Sequence, residues 1–124
     1  MHKKIYLWVA LLWTVAVIVL SLMSFSKAPK VITELSSYDK VAHFVFYFVF
    51  VFLWGSYFFY AKQIQSKTLF LIFFTALIFG GMMEASQELF TTKRVADRYD
   101  MLANFAGAFS GMGVLYFFKT IKKP

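Results

Sequence analysis

The chain has no cysteine, which excludes disulfides, thiolate metal ligands and cysteine nucleophiles and leaves no mark of a redox compartment. Charge is scarce as well: Asp, Glu, Lys and Arg make up 15% of the 124 residues, against about 25% in ordinary globular chains. Histidine occurs only at His2, in the basic start, and at His43, so two-histidine phosphotransfer schemes have no second partner. Alternation of apolar and polar residues is also missing. Phe44 to Phe52 is apolar on both parities, whereas a membrane β-barrel strand alternates over about ten residues.

What fills the chain is hydrocarbon. Apolar residues reach 60% and aromatic ones 22%, with 17 Phe. A soluble chain this short buries only about two-thirds of its unfolded surface and could not hide so many large groups. Charge-free windows run over Ile5–Ser26, Val41–Ala61, Thr68–Met83 and Met101–Phe118, 77 residues in all. A helix needs about 20 apolar residues to cross a hydrocarbon core of roughly 30 Å. The expectation is an all-α bundle of four transmembrane helices in one domain over 1–124, with helices at about 5–23, 41–61, 68–90 and 101–118. Ser24 to Tyr38, with Pro29, reads as a loop, Lys62 to Lys67 as a hairpin turn and Thr91 to Arg98 as the last connection. The first apolar run is too long for a signal-peptide core and lacks a small-x-small cleavage site, so it reads as a retained span. The net charge of +7 sits at helix ends, which points to membrane-surface anchoring and not to nucleic acid.

Orientation follows from the basic residues. With the N-terminus inside, the inner segments carry seven Lys or Arg and the outer segments six, a narrow preference for cytoplasmic termini. All six acidic residues gather at the opposite, outer end.

That end also holds the unusual polar residues: Asp39, Lys40, His43 and Tyr47 opening the second helix, Glu84, Gln87 and Glu88 closing the third, and Asp97, Asp100 and Asn104 opening the fourth. At 3.6 residues per turn, Lys40, His43 and Tyr47 share one side, Glu84 and Gln87 share a side with Gly80, and Asp97, Asp100, Asn104, Gly107 and Gly111 fall in one arc. Gly107-x-x-x-Gly111 predicts close approach of a neighbouring helix. Glu84 ends a window of only 16 residues, so it is expected inside the outer part of the bilayer. An ionised group there costs at least about 2.5–3.5 kcal/mol unless paired; Arg94, Arg98, Lys40 and His43 are the available counter-charges. Structural readings stand beside the functional ones. Asp39 and Lys40 also suit interfacial charges, Tyr47 a belt aromatic, Asp97 or Asp100 a helix cap, and Gln87 and Asn104 interhelical hydrogen bonding.

The pattern Asp39-Lys40-x-x-His43-Phe44-x-x-Tyr47, then Glu84-x-x-Gln87, then Arg94-x-x-Asp97-x-x-Asp100-x-x-x-Asn104-x-x-Gly107-x-x-x-Gly111 resembles the VanZ-like family of small bacterial membrane proteins. It covers Asp39 to Gly111; the first helix carries no motif, and Arg98 departs from a position that is usually apolar in the family. The founding member is associated with resistance to the glycopeptide teicoplanin, and most relatives have no assigned activity. The resemblance implies a bacterial cell membrane and a shared site at the Asp/Lys/His, Glu/Gln and Arg/Asp/Asn positions.

Three functions compete. The favoured one is binding of a lipid headgroup or cell-wall precursor, with Arg94 and Lys40 engaging phosphate or carboxylate. Another is a hydrolase or transferase on a lipid-linked phosphate, with His43, Glu84 and Asp100 as the best catalytic candidates. The third is a glycine-faced structural partner of a larger complex. A His-plus-carboxylate metal site (His43, Glu84, Asp97 or Asp100) is weaker because only one histidine is at hand, and no metal or cofactor is expected. The charges stop at one face, which disfavours a transporter.

Overall fold

The computed structural model describes residues 2–23, 36–60, 65–90 and 98–121, with the side chains of residues 2, 22–23, 36–39, 87–88, 90 and 98 outside the described set. Four helices account for nearly all of this: α1 (His2–Met23), α2 (Ser36–Tyr60), α3 (Ser66–Phe90) and α4 (Arg98–Ile121). No strand occurs among the described residues. Each helix contains a stretch long and apolar enough to cross a membrane: Lys3–Ser21, Lys40–Tyr60, Ser66–Ser86 and Tyr99–Ile121. At 1.5 Å per residue, 21 residues extend about 31 Å, matching the hydrocarbon core.

The helices overrun the charge-free windows that marked them in the sequence. α2 begins at Ser36, so the expected loop loses its last three residues and Asp39 and Lys40 become helical; Ser66, Lys67 and Arg98 join α3 and α4 in the same way. The reason is that charge marks the membrane edge and not the helix end. A backbone without proline continues its hydrogen bonding past the interface, and long basic side chains there reach back to water.

Packing follows an up-down-up-down course. Tyr6 of α1 stacks on Tyr60 of α2 with ring centroids 5.0 Å apart, while Trp13 meets Phe46, so α1 and α2 are antiparallel. α3 runs against α4, with Phe73 packed edge-on against Phe105 and Phe109 and Lys119 donating to the Ser66 hydroxyl at 3.1 Å. α2 touches all three other helices, whereas α1 and α4 do not meet. The α2–α4 seam is the most extensive, and glycine makes it possible. A Cβ on Gly107 would stand 2.2 Å from the Phe44 carbonyl oxygen, and one on Gly111 would stand 2.9 Å from that of Phe48. The two glycines and the two carbonyls repeat at the same four-residue interval, so α2 and α4 run parallel with backbone against backbone. Around this seam Tyr47, Val51, Ala76, Ala108 and Leu115 form the buried core. Outside it, residues such as Leu12, Ile78 and Leu102 stay exposed, as a lipid-facing surface requires.

α1 is tied in by two tryptophans. The Trp13 indole N–H donates to the Phe46 carbonyl at 2.9 Å, and the Trp54 indole donates to the Thr14 hydroxyl at 3.1 Å, which itself donates to the Ala10 carbonyl. Interhelical hydrogen bonds in membranes average about 0.6 kcal/mol, with a maximum near 1.7. Thr14→Val removes the Trp54 acceptor at nearly constant volume, so it is expected to lower stability within that range in reversible unfolding from mixed micelles. A loss well above it would mean that α1 is held by more than this chain of bonds.

Candidate polar site at one end of the bundle

The up-down course puts the start of α2, the end of α3 and the start of α4 at one end. There the structure brings together Lys40, His43, Glu84, Asp100 and Asn104 from three helices. Asp100 lies in the first turn of α4, where the helix N-terminus favours a carboxylate. It is fully buried, and its Oδ1 accepts from the Lys40 ammonium at 2.5 Å, with Lys40 30% exposed. Lys40 thus stands at the mouth of the cluster with its charge held by a group below it.

One turn deeper, the His43 ring is 3% exposed. Its Nδ1 lies 2.9 Å from Asn104 Oδ1. The two groups share a hydrogen bond, and the opposite ring nitrogen, Nε2, faces two carboxylates. Asp100 Oδ2 is 3.6 Å away and Glu84 Oε1 is 3.9 Å away. Glu84 is itself 3% exposed and falls within the apolar span of α3, as the short window before it implies. Taking such ions out of water costs several kcal/mol each unless they are paired, and Lys40 supplies that pairing for Asp100.

Gly80, one turn before Glu84, makes room for the cluster's floor. A Cβ there would meet Asn104 Nδ2 at 2.9 Å and the Tyr47 ring at 3.4 Å. Tyr47 and Asn104 are both 1% exposed, and the Tyr47 hydroxyl and the Asn104 amide nitrogen have no hydrogen-bond partner among the described residues. Of the expected site, Arg94 and Asp97 lie outside the described residues, as do the side chains of Asp39, Gln87, Glu88 and Arg98. The glycine face of α4 is occupied within the chain, because Gly107 and Gly111 both abut α2.

The sequence reading assigned α1 no role, yet Ser21 is buried at the same end of the bundle. The signal was available: Ala10, Val17 and Ser21, all buried, fall on one helical stripe. A cavity of about 490 Å³ lies elsewhere, between α1, α2 and α3, lined by Thr14, Phe50, Trp54, Phe58, Leu71 and Thr75. Its mostly apolar walls suit hydrocarbon, and no member of the polar cluster lines it. Comparison with protein-family models, with curated proteins and with solved structures finds no match for this chain.

Proposed function

We propose that this is a multi-pass membrane protein of the VanZ-like type that binds a lipid headgroup or cell-envelope precursor at one face of a bacterial cell membrane, with both termini cytoplasmic. The observation that carries this reading is the Lys40–Asp100 pair, a partly exposed cation held by a fully buried carboxylate at the polar end of an otherwise apolar bundle. A cation fixed in this way suits the phosphate or carboxylate of an interfacial ligand, and Arg94 supplies a second basic group close by in sequence.

Thermal unfolding of the purified protein, with and without a panel of phospholipid headgroups and lipid-linked cell-wall precursors, tests the proposal. One ligand class is expected to raise the wild-type midpoint, and Arg94→Ala or Glu84→Ala to abolish that shift. Retained stabilisation in both variants sinks the site assignment. The arrangement of His43 between an orienting amide and two carboxylates also favours a second reading, general acid–base chemistry on a lipid-linked phosphate. Turnover of such a substrate, lost in His43→Gln, would establish it. The partner reading loses its main support, since the glycine face it required is already covered by α2.

A further inference from the structure

We infer that His43 Nε2, Glu84 and Asp100 bind a divalent transition-metal cation of the zinc or manganese class. One ligand atom from each residue lies within 4.8 Å of the others, and all three residues are buried. The spacings from Nε2 to the carboxylate oxygens, 3.6 and 3.9 Å, are too long for hydrogen bonds between the groups. Two atoms bonding one tetrahedral ion at about 2.0–2.2 Å stand roughly 3.3–3.6 Å apart, so the 3.6 Å spacing fits as it is and the 3.9 Å spacing must close by a few tenths of an ångström. The roles of the ring nitrogens agree. In the tautomer that a metal-bound ring would adopt, Nδ1–H donates to Asn104 Oδ1, 2.9 Å away, and Nε2 is turned toward the two carboxylates. A second N–H donated to a carbonyl oxygen is also how metal-bound imidazoles are held.

Two more features point to a ligand. The Tyr47 hydroxyl and Asn104 amide nitrogen, both buried beside Gly80 at the cluster's floor, lack hydrogen-bond partners among the described residues, and such groups suit water or an anion completing a metal's coordination. Asp100 turns one oxygen to Lys40 and the other toward His43 Nε2, so the oxygen on the cluster side is Oδ2. One imidazole and two carboxylates, with no thiolate anywhere in the chain, favour Zn²⁺ or Mn²⁺ over softer ions. In sequence the single histidine makes a site of His43 with Glu84 and Asp97 or Asp100 a weak reading; among the described residues His43, Glu84 and Asp100 come together from three helices. This inference does not depend on headgroup binding, although a bound cation would be a natural partner for a phosphate.

The test is metal analysis and titration of tag-free protein in detergent after chelator treatment, using Zn²⁺ and Mn²⁺ as probes. About one equivalent of one of them is expected to bind and to raise the unfolding temperature. Glu84→Gln and His43→Gln are expected to lose uptake, and Asn104→Ala to weaken it about 10–100-fold, the usual effect of removing an orienting partner. If the glutamine variants do not fold, Co²⁺ added to the wild type must give a visible d–d spectrum of nitrogen and oxygen ligation. Absence of stoichiometric uptake by folded wild-type protein, a missing Co²⁺ spectrum, or uptake unchanged in folded Glu84→Gln overturns the inference. Metal binding without any co-purifying lipid would leave it standing and count against headgroup binding alone.

Discussion

Gly107→Ala is expected to destabilise the bundle by about 3 kcal/mol or more, while Gly113→Ala, six residues along the same helix, is expected to cost nothing measurable. The difference lies in what the new methyl group meets. At Gly107 it would lie 2.2 Å from the Phe44 carbonyl oxygen and 2.9 Å from the carbonyl carbon. Those atoms belong to helical backbone and cannot rotate away, so α2 and α4 must separate along their main seam. Overpacking costs typically 1–3 kcal/mol and more where nothing can relax, set against a total stability of roughly 5–15 kcal/mol. At Gly113 nothing lies within 4 Å, and alanine is the better helix former. Gly111→Ala belongs between them, since its contacts begin at 2.9 Å and include the movable Val51 side chain. Unfolding midpoints of the three variants, with size-exclusion profiles, give the ranking. Wild-type stability in Gly107→Ala would contradict the parallel packing of α2 on α4. It also follows that loss of function in Gly107→Leu reports a broken fold and says nothing about an external partner.

Lys40→Met is expected to destabilise the protein by about 1.5–3 kcal/mol, the range for a hydrogen bond to a charged group, with the lower end favoured because Lys40 is 30% exposed and partly screened by solvent. The substitution keeps most of the side-chain stem and removes the charge. Asp100 then remains fully buried, facing His43 and near a second carboxylate at Glu84, with one positive partner fewer. Asp100→Asn is expected to cost less, because the lysine it releases can reach water while the carboxylate cannot. Combining the two should recover part of the loss, with a coupling energy in the usual 0.5–3 kcal/mol range for contacting residues. A reversed order, with Asp100→Asn the more damaging, would mean that the carboxylate chiefly serves His43 and not Lys40.

The helices were legible in the sequence because a membrane makes charge a boundary marker, and four charge-free windows are hard to read in another way. Their ends were not, since Lys40 and Arg98 are compatible with helix at the interface and only backbone continuity decides where the turn begins. The site was legible as a set of faces. Lys40, His43 and Tyr47 share a side of α2, and alternating membrane-spanning helices must bring the start of α2, the end of α3 and the start of α4 to one face. Partner choice was not legible. Glu84 has four candidate counter-charges in sequence; among the described residues His43 stands 3.9 Å from it while Lys40 goes to Asp100. The tryptophan ties of α1 were invisible for the same reason. A carbonyl such as that of Phe46 has no sequence signature as an acceptor.

The polar end of this bundle is proposed to bind an interfacial anionic ligand and not merely to satisfy its own buried charges. Lipid mass spectrometry on the purified protein tests it most directly, with Arg94→Ala and Lys40→Met alongside. One phosphate- or carboxylate-bearing lipid or precursor is expected to be enriched with the wild type above its share of the membrane and lost from folded samples of both variants. Identical lipid profiles in all three, matching the bulk membrane, would contradict it.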